Sequence, residues 1–172
     1  NNININANGL CYNSFNDMAA NITTCTLEQP DGFTITDAGL HFTSNRDTLQ
    51  LHKLEINSRN GSRIYVRGAL PKEALQNSTK QGFSTTLSAN INKLDLTRLV
   101  TMQIYDKLHY FNEQLLDAEI RASGNIHDIE IDTIVIAFPG VGTINANGRI
   151  KNILRTAKAS GQLAFNGSVD NI

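Results

Sequence analysis

Residues 144–150 read INANGRI, and residues 120–126 read IRASGNI. Both runs are built like β-strands, yet each carries a glycine near its centre. INANGLC (5–11), IYVRGAL (64–70) and AKASGQL (157–163) share the skeleton of an apolar residue, a small residue or Val, then Gly. Alternate residues of a strand point to one face, so Ile144, Ala146, Gly148 and Ile150 are expected together, opposite Asn145, Asn147 and Arg149. Ile120, Ala122, Gly124 and Ile126 likewise stand opposite Arg121, Ser123 and Asn125. Each such strand presents an apolar face that is bulky at its ends and hollow in the middle. The hollows are Gly9, Gly68, Gly124, Gly148 and Gly161. Glycine weakens a strand and lets another group approach closely, and that group is either the protein's own wall or a ligand.

Outward from these runs, period-two alternation continues along most of the chain. FTITDAGLHFT, TLQLHKLEINS, SRIYVRGAL and GFSTTLSANINKLDL all follow it, with turn residues such as QPDG and SNRD between them. Asn60-Gly61 is a strong hairpin signal. Some strands show a phase slip. Leu49 and Leu51 are followed by Leu54 and Ile56, Ile129 and Ile131 by Ile134 and Ile136, and Ile91 by Leu94 and Leu96. One extra residue between alternating pairs predicts a β-bulge, which bends a strand and increases its twist. Repeated bulges predict a sheet that curls.

Two places break the rhythm. Residues 71–80 hold a short helix or loop, with Pro71 at a plausible first helical position. Residues 95–111 form the clearest helix, capped by Asp95, with Leu96, Leu99, Val100, Ile104, Leu108 and Phe111 on one stripe. The expected fold is therefore all-β with one or two helices. It is a curled antiparallel meander open as a trough, with a β-sandwich as the alternative. A single β-rich segment spans 1–172: a first strand group over about 1–70, the short helix or loop, a strand over 82–94, the helix, and a second strand group over 115–170. A closed lipocalin-like barrel is a third reading, and it lacks the aromatic cavity lining.

Composition narrows the function. The chain has 172 residues, enough for one domain with its own core. Fifteen basic and sixteen acidic residues give a net charge of −1, which draws it neither to nucleic acid nor to an anionic surface. Tryptophan is absent and aromatics make up 6%, which argues against stacking platforms for bases or sugars. No stretch approaches the length needed to cross a membrane as a helix. The chain opens on NNININANG, already a strand pattern and without an initiator Met, and reads as a segment of a longer protein.

Catalytic signatures are missing. His41, His52, His109 and His127 have no metal-ligand spacing, and no cysteine pair does either. Asp128, Glu130 and Asp132 share one strand face and could hold calcium, but a solvated polar face explains them far better. PGVGT (139–143) lacks the Lys and Ser/Thr of a phosphate loop and reads as a turn. The glycosylation-like triplets at Asn21, Asn60, Asn77 and Asn166 are expected by chance in a chain rich in Asn, Ser and Thr. The expectation is a protein that is not an enzyme and uses no cofactor or metal. Cys11 and Cys25 flank a hairpin turn near Asn16 and Asp17, and would face each other if the register centred near Met18. A disulfide there would fit an oxidising compartment, while two separate thiols are the alternative.

The stretch ASGNIHDIEIDTIVIAFPGVGTINANGRIKNI (122–153) resembles the repeating unit of the AsmA-like family, most closely its TamB branch. TLQLHKLEINSRNGSRIYVRGAL and LSANINKLDLTRLV fit the same pattern of a strand ending in small-x-Gly, a turn and another alternating strand. The resemblance covers most of the chain on short, degenerate motifs. It implies a β-taco, an open trough lined with apolar side chains, belonging to long periplasmic proteins of Gram-negative bacteria anchored in the inner membrane. Such troughs are associated with phospholipid passage between the two membranes and with outer-membrane biogenesis. The implied partners are phospholipid, neighbouring repeats of the same chain and an outer-membrane barrel of the TamA type, with no nucleic acid.

On that resemblance, the groove lining would be Leu49, Leu51, Leu54, Ile56, Ile64, Val66, Ile120, Ile126, Ile129, Ile131, Ile134, Ile136, Ile144 and Ile150, with the five glycines as hollows. An alkyl chain needs a lining without hydrogen-bonding demands, since each methylene withdrawn from water contributes about 0.8 kcal/mol. The competing reading is a non-catalytic structural or interaction module, a cell-surface or secreted β-sandwich, in which the same residues form an ordinary core.

Overall fold

A chain patterned with period two can satisfy its backbone only by laying each strand against another. The computed structural model of the protein describes residues 2–7, 9–28, 34–73, 82–95, 114–125, 127–152 and 158–170. These form β1 (Asn2–Ala7), β2 (Cys11–Ser14), β3 (Asp17–Glu28), β4 (Ile35–Ser44), β5 (Thr48–Ser58) and β6 (Arg63–Pro71). They continue as β7 (Phe83–Asn92), β8 (Gln114–Asn125), β9 (Asp128–Phe138), β10 (Gly142–Lys151) and β11 (Ser160–Val169). All belong to one antiparallel sheet in which each strand from β3 to β11 neighbours the next in sequence. β1 and β2 both pair with β3, as two halves of an interrupted first strand broken around Gly9 at φ +81°.

The all-β antiparallel meander expected from the alternation is thus present. The strong curl is not. The order ends in two open edges, and the substantial contacts among the strands are all between hydrogen-bonded neighbours. The sheet is neither closed nor strongly curled, and its described strands make one continuous ladder rather than two separate sheets. Two phase slips are mid-strand bulges, at His52–Lys53 in β5 and at Asp132–Thr133 in β9. They lie at the same level of the sheet, four strands apart. The third slip is different: after Ile91 the register shifts, the strand ends at Asn92, and a helical turn begins at Lys93. Register shifts leave an extra residue also at Thr23 in β3, Thr36 in β4 and Leu115 in β8, and Ile22 followed by Cys25 carries the signature of the first.

Asn60-Gly61 does turn the β5–β6 hairpin, with Gly61 at φ +89°. Pro71 is not a helix start. It is the last residue of β6, opposite Thr48, at a level where the ladder to β7 has already stopped and its missing N–H costs nothing. A turn at Lys72 leads to a helical residue at Glu73, and the rest of the expected short helix falls outside the described residues. The second helix, expected over 95–111, begins at Lys93 rather than Asp95, with Asn92 Oδ1 accepting from the Leu94 N–H at 2.9 Å. Asp95 therefore sits inside the first turn instead of capping it, and the remainder falls outside the described residues.

Cys11 and Cys25 do not meet. The first hairpin centres near Phe15 rather than Met18, so Cys11 stands opposite Ala19 and Cys25 opposite Ile5. Both thiols are free.

Candidate functional site

Directly opposed residues of neighbouring antiparallel strands share a face. Following the register from β4 to β11 therefore assigns every strand position to one side of the sheet. One row runs Phe42, Leu51, Gly68, Thr85, Ala122, Ile131, Gly148, Leu163. The next runs Leu40, Leu54, Val66, Leu87, Ile120, Ile134, Ala146, Phe165, and the one beyond it Ala38, Ile56, Ile64, Ala89, Ala118, Ile136, Ile144, Gly167. The bulges in β5 and β9 fall between the first two rows. Each absorbs the extra residue that would otherwise throw the second half of its strand onto the opposite side.

All these rows lie on one apolar face. Thirteen of the fourteen expected lining residues stand on it, and Ile126 lies outside the described residues. The face also carries Leu40, Phe42, Leu70, Phe83, Leu87, Leu163 and Phe165, which the motif reading passed over. Leu40, Phe42, Phe83, Leu87 and Phe165 are legible as plain alternation in LHF, FSTTLSANI and LAF, while Leu70 and Leu163 close the glycine-bearing runs IYVRGAL and AKASGQL.

The face is largely half-buried from β4 to β10 and exposed at β11. Among the described residues the buried apolar side chains are Leu115, Ile131 and Ala146, and the largest side chain that is fully buried is Asp95. Phe165 and Val169, at the β11 end, are 67% and 75% exposed. The chain exposes 11378 Å², where a compact monomer of its 18.9 kDa mass would expose about 8,300 Å². An exposed apolar area beyond a few hundred Å² marks an interaction surface more often than not.

A recess of 230 Å³ sits on this face above Gly68, walled by Phe42, Leu49, Leu51, Leu70, Phe83 and Thr85. Gly68, Thr85 and Ala122 are successive small residues in one row, so the hollow is where side chains run short. The glycines have a second cause, however. A Cβ on Gly68 would come within 2.8 Å of the Ser84 carbonyl oxygen, and on Gly124 or Gly148 it would overlap the carbonyls of Asp128 or Gln162. Gly124 and Gly148 also hold φ of +123° and +153°. These three are required by the neighbouring strand's backbone, and the hollow follows from that. Gly161 has room for a Cβ, and Gly9 lies between β1 and β2 rather than in a strand.

The opposite face is polar. A recess of 480 Å³ there is bordered by Gln50, His52, Arg67, Thr86, Arg121 and Asp132, and another of 380 Å³ by Asn145, Asn147 and Asn166. His52 stacks on His41 with ring centroids 4.4 Å apart and shares a hydrogen bond with the Thr43 hydroxyl at 2.8 Å. Asp128, Glu130 and Asp132 do not gather around a cation site. Arg149 grips Asp128 with two nitrogens and holds its carboxyl below the usual range, and no metal-like cluster occurs among the described residues.

Polar locks bound the apolar face at both strand ends. At one, Lys72 is buried and donates to the Phe15 carbonyl at 2.6 Å and to Asn16 Oδ1 at 3.0 Å, while the Ser44 hydroxyl donates to the same carbonyl at 2.6 Å. At the other, Asp95 is 1% exposed and accepts from the Ser58 hydroxyl and, at 2.7 Å, from Asn60 Nδ2. Burial pushes the Asp95 carboxyl up, but hydrogen bonds from Ser58, Ser62 and Asn60 outweigh it and hold the group below the usual carboxylate range. Both locks close the hairpin ends with satisfied charges, so the apolar face stops sharply there.

Fold and site together define a class: an open, single-sheet antiparallel meander with one apolar and one polar face. Compared with known proteins, the chain matches no family model, no curated protein and no solved structure.

Proposed function

We propose that this chain is a lipid-conducting segment of an AsmA-like protein of the TamB branch, in the periplasm of a Gram-negative bacterium. Its apolar face would carry phospholipid tails between inner and outer membranes while headgroups remain in water, in support of outer-membrane biogenesis. The parent protein would be anchored in the inner membrane, with neighbouring repeats adding strands at an open edge and an outer-membrane barrel of the TamA type as partner. The trough of the β-taco belongs to this proposal, formed when further strands deepen a sheet that is open here. The segment would do no catalysis.

One observation carries the reading. Thirteen expected lining residues share one continuous face, and its rows cross the eight strands β4 to β11, which at about 4.8 Å spacing make it about 34 Å wide, longer than an acyl chain. The one hydroxyl in its three rows, Thr85, already donates to the Arg67 carbonyl at 3.1 Å, and so weak a hydrogen-bonding capacity favours sliding over specific capture.

A second reading keeps support from a different observation. Gly68, Gly124 and Gly148 are explained by their own sheet's backbone, and the larger recesses lie on the polar face. Both fit a non-catalytic interaction module whose apolar face is covered by protein. Mass spectrometry of gently purified protein separates the two: co-purifying phospholipid supports conduction. Its absence, with a photocrosslinker at Leu51 capturing only protein, refutes it.

A further inference from the structure

We propose that β11 is a self-complementary edge through which two copies of this chain pair antiparallel, making one continuous sheet. The strand reads SGQLAFNGSV over residues 160–169. About Ala164 it is chemically palindromic: Ser160 mirrors Ser168, Gly161 mirrors Gly167, Gln162 mirrors Asn166 and Leu163 mirrors Phe165. An edge that pairs with its own copy across a two-fold axis at Ala164 sets each residue against its chemical equivalent.

The backbone allows that register. The carbonyls of Gln162 and Ser168 point at β10, against Gly148 and Gly142, and the Asp170 N–H donates to Val141. By the two-residue period, the N–H and C=O groups of Gly161, Leu163, Phe165 and Gly167 then point outward from the sheet. In the palindromic register these outward residues face one another: Gly161 with Gly167 and Leu163 with Phe165 of the copy. Face is preserved too, because the axis runs through the sheet, so Leu163 and Phe165 of both copies extend the same apolar side.

The edge carries none of the devices that block pairing. It has no Lys, no Pro and no charged residue, and it pairs with β10 without a bulge. The opposite edge is different, since it is interrupted between β1 and β2 at Gly9. The inference rests on the fold alone. A dimer through β11 leaves the β1 edge for neighbouring repeats.

The test uses the full chain with Cys11→Ser and Cys25→Ser. Ala164→Cys brings two thiols onto the axis in a non-hydrogen-bonded pair, about 4.5 Å between Cα atoms, within disulfide reach. Asn166→Cys sets its thiol against Gln162 of the copy instead. Sedimentation of the unmodified chain should show a concentration-dependent species of twice 18.9 kDa, and mild oxidation should trap Ala164→Cys, but not Asn166→Cys, as a covalent dimer. Phe165→Pro removes an outward N–H together with the ring, leaving the ladder to β10 intact, and should weaken the dimer roughly tenfold or more, whereas Phe165→Leu, which keeps the N–H, should weaken it less. A monomer at every concentration overturns the proposal and leaves the edge to another strand. Equal trapping of the two cysteine variants overturns the register.

Discussion

Leu51 and Leu54 are three positions apart in the chain yet stand on the same face of the sheet, because His52 and Lys53 together lie opposite the single residue Arg67. The bulge converts an out-of-phase sequence into an in-phase surface. Without it, either the two leucines before it or Leu54 and Ile56 after it would face water on the polar side.

Deleting His52 should therefore be tolerated. The shortened strand alternates regularly and meets β6 residue for residue, so cooperative unfolding in urea should persist with a modest loss of stability. Deleting Thr86 from β7, which pairs regularly with β6 and β8, should abolish cooperative folding, because half of that strand changes face. If both deletions behave alike, the bulge has no part in setting the register.

The glycines divide by environment. Gly124→Ala and Gly148→Ala drive a Cβ into a neighbouring carbonyl at positive φ and should each cost about 2–4 kcal/mol in denaturant unfolding. Gly161→Ala meets its nearest atom at 3.5 Å and should change stability by no more than about 0.5 kcal/mol.

Acid should loosen the Asp95 end of the sheet. A carboxyl held below its ordinary pKa in the folded state contributes stability that is fully present above the unfolded value and is lost as pH falls through the folded one. Glu55 adds to the same trend, held low chiefly by Lys53 at 2.5 Å, with Arg63 also at 2.5 Å. Asp95→Asn should lower stability by about 1–3 kcal/mol at neutral pH and flatten the acid limb of a pH series of melts. An unchanged acid limb would remove Asp95 from the account.

Lys72 locks the other end. Lys72→Met keeps its stem but leaves Asn16 Oδ1 without this donor and the Phe15 carbonyl with only Ser44, and it loses the ammonium 4.4 Å above the Phe15 ring. A loss of about 1–3 kcal/mol is expected, read by thermal unfolding.

Conduction of lipid makes a face-specific prediction. A photocrosslinker at Leu51 should label phospholipid, while one at Gln50, the next residue and on the polar face, should not. Equal labelling from both would mean that lipid does not recognise the apolar face.

The alternation of IEIDTIVI and LQLHKLEI, read alone, determined that the chain is all-β, that its strands have one apolar side, and where two of its bulges fall. It could do so because side-chain direction in a strand depends only on local period. Tertiary structure decided what depends on pairing. The slip after Ile91 became a strand end rather than a bulge, Pro71 closed a strand instead of opening a helix, and Cys11 and Cys25 were set apart by a hairpin centred three residues from where they would meet. The sheet stayed open rather than curled: its described strands make substantial contacts only with hydrogen-bonded neighbours, and its order ends in two edges that do not meet. The locks at Lys72 and Asp95 were equally hidden, since their partners lie 57 and 37 residues away in the chain. Register is a sum over many weak cross-strand contacts, and no local stretch contains that sum.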